Sequence, residues 1–135
     1  MNKVNSEPLV SVNLEVLPFE VDVIRLDAKA EVPKWALSAE FFTISRTAEE
    51  LSIIVPSGSA PKQPVVEANW SAIKVAGPLD FSLTGILDAL AHPLAKKKVS
   101  IFAISTFDTD YLLVKSDKLK HAKEILLGYG HKFIN

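Results

Sequence analysis

The chain has 135 residues, 48% of them hydrophobic and 23% charged, which is ordinary globular usage and excludes intrinsic disorder. Fifteen basic and sixteen acidic side chains leave a net charge of −1, without the basic excess of a nucleic-acid binder. The absence of cysteine removes disulfides, thiolate nucleophiles and Cys-based metal sites. No apolar run approaches the roughly 20 residues that span a bilayer, and MNKVNSEPLV carries no secretory h-region. The expectation is a cytoplasmic chain with no membrane and no nucleic-acid partner, folded as one domain or two very small ones sharing a core.

In chain order, Val10–Leu17 and Glu20–Leu26 are strand candidates on either side of Pro18. Pro33 and Trp35 mark one or two turns of helix, with Pro33 near the first helical position. Phe41–Val55, FFTISRTAEELSIIV, reads as two strands joined by a turn. The stretch PSGSAPKQPVVEANW, with Pro56, Pro61 and Pro64, is a loop or linker. Ser71–Ala76 is a strand ending at Gly77-Pro78.

The strongest helical period follows. Leu83, Ile86, Leu87, Leu90 and Leu94 fall on one face of a helix from Ser82 to Lys98, with Asp80 or Ser82 as cap. Pro93 removes the bond to the carbonyl of Ala89, so a kink or a shortened helix is expected there. Val99–Ser105 and Asp110–Lys115 are strands connected by Thr106–Thr109. A helix from Asp117 to Leu127 turns Leu119, Ala122 and Leu126 inward and stops at Gly128. Gly130–Ile134 is a last short strand.

From residue 70 the order is β-α-β-β-α-β, the ferredoxin-like unit. The first half repeats part of it. Phe41–Val55 aligns with Ile101–Lys115 at an offset of 60, which puts Phe42 on Phe102, Ile44 on Ile104 and Glu50 on Asp110. Val23–Leu26 resembles Ile73–Ala76, but the crossover to the repeat is 19 residues instead of 29. The predicted fold is α+β: two ferredoxin-like units with antiparallel sheets covered by helices on one face. The first, residues 1–69, is degenerate and the second, residues 70–135, is complete.

No P-loop, HExxH, GxSxG or GxGxxG motif is present. His92, His121 and His131 have no partner at ligand spacing and read as surface or capping residues. Asp108 and Asp110 could hold a divalent metal or an ammonium group, but a tight turn explains them more simply. The segment Gly77-Pro78-Leu79-Asp80-Phe81-Ser82 links a strand end to a helix start, where unpaired N–H groups favour an anion such as a carboxylate. In a β-α-β-β unit, Ile104–Phe107 can return beside this loop. A small zwitterion fits that chemistry, with its carboxylate on the loop and its ammonium on strand carbonyls or Asp110. On the residues alone, a plain turn at Gly77-Pro78 explains the segment more simply.

AGPLDFSLTGIL followed by SIFAISTFDTDYLLV resembles the ACT-domain subfamily of small bacterial proteins related to the CASTOR arginine sensors. The resemblance covers about residues 8 to 133 and is most specific at Gly77–Gly85 and Ser105–Val114. It implies two ACT units in tandem, no catalytic activity, no cofactor and no metal. It further implies an amino acid held at an interface between units, with the ligand biasing an assembly or a regulated protein partner. Carried over residue by residue, the ligand-binding set is Gly77, Pro78, Leu79, Asp80, Phe81, Ser82, Thr84 and Gly85, facing Ile104, Ser105, Thr106, Phe107 and Asp110. Relatives that read an arginine side chain place an acidic residue in the loop. Leu83 stands there, which leaves a smaller or more apolar amino acid as open as arginine. The functional expectation is an allosteric, amino-acid-binding regulatory protein that forms a homodimer. The alternatives are a dimerisation or interaction module without a ligand and, less favoured, a metal-assisted enzyme using Asp108 and Asp110.

Overall fold

A computed structural model describes residues 10–76 and 85–135. Seven strands and three helices follow in the order β1 (Asn13–Leu26), α1 (Lys34–Leu37), β2 (Thr43–Arg46), β3 (Leu51–Pro56), β4 (Val66–Val75), α2 (Ile86–Lys96), β5 (Ile101–Ser105), β6 (Asp110–Lys115), α3 (Leu119–Gly128) and β7 (Lys132–Phe133). The chain divides into two compact units, one of residues 18–71 and one of residues 1–17 with 72–135. β4 passes from one unit to the other between Ser71 and Ala72, and residues 10–17 group with the C-terminal half.

The reason is strand pairing that no local pattern reveals. Val10–Leu17 and Glu20–Leu26 are not two strands but one, β1, which runs through Pro18. The exposed Pro18 begins the change of unit, and proline is tolerated where a ladder bond is not required. The N-terminal part of β1 pairs with the end of β4, where Ala76 N–H reaches Asn13 O at 2.8 Å. β4 also begins earlier than expected, at Val66 instead of Ser71.

In the unit of residues 18–71 the strand order is β2-β3-β1, with β4 on the far side of β1. Antiparallel pairing sets Ile24 against Ile53, and Ile44 against Ile53 on the other side. Ile24, Ala36, Leu51, Ile53 and Val55 form the core, with Trp35 packed against it. No helix lies between β3 and β4, as the proline-rich stretch led one to expect, and α1 spans only four residues. Asn69 has φ 64° within β4, and its N–H bonds the carboxylate of Asp22 at 3.0 Å. That local reversal of φ is the signature of a bulge. The same carboxylate oxygen accepts the Ser57 hydroxyl at 2.6 Å, which ties the end of β3 to β1.

The other unit carries the complete β-α-β-β-α-β order, β4-α2-β5-β6-α3-β7. Its strand order is β5-β6-β4-β1, with β7 beside β1. The place next to β4 is thus taken by the N-terminal part of β1, and β7 pairs parallel to β1 through Asn13–Lys132 and Leu14–Phe133. Leu14, Ile73, Val75, Leu112 and Val114 from the strands meet Ile86, Leu90, Leu94, Ala122, Ile125 and Leu126 from α2 and α3 in one core.

The buried face of α2 is Ile86, Leu90, Pro93 and Leu94; Leu87, expected on that face, is 37% exposed. α2 continues through Pro93 to its end at Lys96, and beyond the cap Lys97 the φ of 63° at Lys98 lets Val99 N–H close on Leu94 O at 2.9 Å. Gly128 closes the last turn of α3 instead of stopping it, and Gly130 supplies the positive φ of 95° just beyond. The anticipated caps Asp80 and Ser82 lie outside the described residues.

The internal repeat is present in the geometry with a shifted register. Ile44 pairs with Ile53, while Ala103 pairs with Leu112, so the two hairpins correspond at an offset of 59, not 60. The burial pattern agrees: a run of three consecutive buried residues ends at Val55 in β3 and at Val114 in β6, one residue before each strand stops. Both turns use the same device, a threonine whose Oγ1 accepts the N–H three residues on, Thr47 from Glu50 at 3.1 Å and Thr106 from Thr109 at 3.2 Å. Glu50 therefore corresponds to Thr109, and the sequence alignment of Glu50 with Asp110 is corrected by one residue.

Candidate functional site

Of the expected ligand-binding residues, Gly77, Pro78, Leu79, Asp80, Phe81, Ser82 and Thr84 lie outside the described residues, as does Leu83. The two ends of that segment are defined. On one side is Ala76, held by its bond to Asn13. On the other is Gly85, exposed, with φ 80° and ψ 2° at the start of α2. A Cβ on Gly85 would meet only Val10 at 3.9 Å, so space is not the constraint there. The left-handed φ is, since only glycine adopts it without strain. No side-chain bond caps α2, so Gly85 leaves the first amides of the helix without a side-chain partner from the cap position.

The β5–β6 hairpin carries the other expected residues. Ile104 faces Tyr111 and Ser105 faces Asp110 in register. The turn closes with Thr106 N–H on Thr109 O at 2.8 Å and Thr106 Oγ1 on the same oxygen at 2.9 Å. Ile104, Ser105, Thr106, Phe107 and Asp110 are therefore brought together in one hairpin. Ser105, Thr106 and Phe107 are exposed, Ile104 and Asp110 half-buried. Phe107 is 79% exposed at the tip.

Thr109, which no sequence motif marks, ties the hairpin turn to the end of β4. It is 4% exposed, and its hydroxyl donates to Val75 O at 2.7 Å. Val75 is the last residue of β4, two positions before the Gly77 segment begins. One hydrogen bond thus fixes the hairpin turn beside the last residue of β4. The equivalent place in the other unit holds the looser contact of Arg25 with Glu50, at 4.0 Å. Reading the repeat at an offset of 59 would have matched Thr109 to Glu50 and flagged the position.

Asp108 is exposed in the turn, and among the described residues no group of three His, Asp or Glu side chains gathers to hold a metal ion. His92 and His121 are exposed, as expected. His131 is not: it is 3% exposed, and both ring nitrogens are bonded. No helix of the described residues is long and apolar enough to cross a membrane.

The ACT-domain family model matches residues 65–127, and a second model, of an N-terminal domain, matches residues 21–63. An Agrobacterium tumefaciens protein solved by X-ray crystallography is 35% identical, with a TM-score of 0.87, and the match covers 93% of each chain. The cytosolic arginine sensor for mTORC1 subunit 1 of Rattus norvegicus is 29% identical over 127 residues, 88% of this chain. The chain spans 38% of that sensor's length. Clostridium acetobutylicum aspartate kinase, described as an allosteric enzyme, matches with a TM-score of 0.66 at 12% identity, covering 93% of this chain and 36% of that one, which shows the fold alone. Residues 65–127 carry an ACT domain, and the chain is a small protein related to the CASTOR arginine sensors.

Proposed function

We propose that this protein is a non-enzymatic regulatory module that binds an amino acid between the 77–85 segment and the β5–β6 hairpin. The observation that carries the reading is the Thr109–Val75 bond, which sets a turn bearing hydroxyls and a carboxylate beside a strand-to-helix connection. The ACT domain over residues 65–127 and similarity to cytosolic arginine sensors support a regulatory, amino-acid-binding role. In this reading the ligand carboxylate takes the amides leading into α2, where the helix N-terminus favours negative charge. The ammonium takes Asp110, Thr106 Oγ1 or strand carbonyls. The ligand acts in the cytoplasm on a homodimer or a protein partner by favouring one of two states.

A thermal-shift screen of the twenty amino acids tests this, because a ligand that binds only the folded state stabilises it by about 2.7 kcal/mol at a hundredfold excess over Kd. Calorimetry then compares the best ligand with its carboxamide. Binding at least tenfold weaker for the amide, about 1.4 kcal/mol, is the expected result. Equal binding of acid and amide, or no response to any amino acid, overturns the reading.

The rival reading, an interaction module without a ligand, is favoured by β5. It is the last strand of its sheet, with Phe102 and Phe107 exposed, and edge strands invite pairing with another chain. A concentration-dependent mass together with no ligand response would select it.

A further inference from the structure

Pro93 and His131 are separated by most of the C-terminal unit in sequence, yet each explains the other. A proline inside a helix has no N–H for the carbonyl four residues earlier, so Ala89 O loses its helical partner. A buried carbonyl without a partner is costly. His131 Nε2 lies 3.2 Å from Ala89 O. Its other nitrogen, Nδ1, accepts Val12 N–H at 3.3 Å. The tautomer that serves both contacts carries its proton on Nε2. The ring, 3% exposed, therefore links the first turns of α2 to Val12, the residue before β1.

Ala89 is also the residue that closes the start of α2, its N–H bonding Gly85 O at 2.9 Å. Gly85 in turn packs near Val10, two residues before the Val12 that His131 holds. The imidazole thus acts on both sides of the helix start, through Ala89 on the helix and through Val12 on the neighbouring chain. Nothing in the proposed binding chemistry uses this buried side chain.

We infer that His131 is a positioning residue for the amino-acid site: it replaces the helical bond that Pro93 abolishes and so holds the N-terminal turn of α2 where the ligand segment ends. The inference rests on the proposed amino-acid site. Affinity for the best amino acid of the screen is measured by calorimetry on wild type, His131→Leu and His131→Gln. The temperature is one at which circular dichroism shows each variant fully folded. Gln can offer Nε2–H to Ala89 O and its oxygen to Val12 N–H, whereas Leu fills space and offers neither. The expected result is at least tenfold weaker binding for His131→Leu and binding within about threefold of wild type for His131→Gln. A purely structural role would lower the melting temperature of His131→Leu and leave its affinity unchanged, and that result overturns the inference. So does a Gln variant as weak as the Leu variant. If His131→Leu does not fold, it is remade with Pro93→Ala, which gives Ala89 O a helical N–H. The double variant is then compared with Pro93→Ala alone, and equal folding and affinity to within threefold are expected, since position 131 is no longer needed. A tenfold loss in the double variant would count against the account. Failure of wild type to bind any amino acid removes the site and the inference together, whereas normal binding by a folded His131→Leu removes only the inference.

Discussion

Thr109 shows how one hydroxyl can anchor a turn. Its Oγ1 donates to Val75 O while its N–H is taken by Thr106, so both its polar groups are satisfied in a position only 4% exposed. Thr109→Val keeps the shape and removes the hydroxyl that donates to the Val75 carbonyl. Urea unfolding should show a loss of about 1–3 kcal/mol with an unchanged m-value. Thr109→Ser, which retains the donor, should lose markedly less, and equal losses would mean that packing, not the hydrogen bond, holds the turn. The two neighbouring aspartates should separate in function. Asp110 is half-buried at the start of β6, paired with Ser105, and Asp108 is exposed in the turn. Asp110→Ala should weaken amino-acid binding by about 1.5–3 kcal/mol, the size of a contact to a charged group, and Asp108→Ala should leave the titration curve nearly unmoved. Identical calorimetric affinities for both variants and the parent would remove Asp110 from the site.

At the scale of elements, α2 divides into a face that packs and a face that does not, and the sequence period alone drew the line in the wrong place. Leu87 satisfies the i, i+4 spacing from Leu83, yet it is 37% exposed, while Leu90 is 1% exposed in the core with Leu94 and Leu112. A stripe of leucines wider than the contact made with the sheet leaves one leucine outside. Leu90→Ala should cost about 2–5 kcal/mol, the range for a buried leucine, and Leu87→Ala within about 0.5 kcal/mol, as for surface changes. Chemical denaturation of both variants measures the difference, and similar losses would mean that Leu87 is covered by another molecule in solution. The hairpins teach a related lesson. Their strands, turns and burial were legible because alternation and β-branched residues are local signals. Their register was not, since offsets of 59 and 60 both align apolar residues, and only the cross-strand pairs Ile44–Ile53 and Ala103–Leu112 distinguish them.

For the whole molecule, the exposed edge at β5 bears on assembly. Its strand is half-buried or exposed along its length, and Phe107 stands 79% exposed at its end. The chain is expected to associate at least into dimers. Light scattering at high micromolar concentration should give a mass near twice the 14.8 kDa of the single chain. A lysine at Ala103, which is exposed on that strand, should shift the equilibrium toward the monomer by placing charge on the pairing edge. A mass of one chain at that concentration, or a dimer indifferent to Ala103→Lys, would place association elsewhere or exclude it.

The sequence by itself determined the α+β class, the β-α-β-β-α-β order after residue 70, the missing second helix of the first copy and the composition of the hairpins. Each of these rests on patterns a few residues long: a helical period, an alternation, a cluster of prolines. The family resemblance was legible in the same way, from two short blocks at the expected separation. Only the tertiary structure decided that residues 13–26 are one strand whose N-terminal part joins the C-terminal unit, because pairing between Asn13 and Ala76 is a contact between distant parts of the chain. Only it showed Thr109 anchoring the turn and His131 buried, since a hydroxyl or an imidazole looks the same in sequence whether water or a carbonyl satisfies it. Pro93 looked like a defect when the helix was considered alone, and it becomes a requirement once a second segment supplies the bond it cannot make.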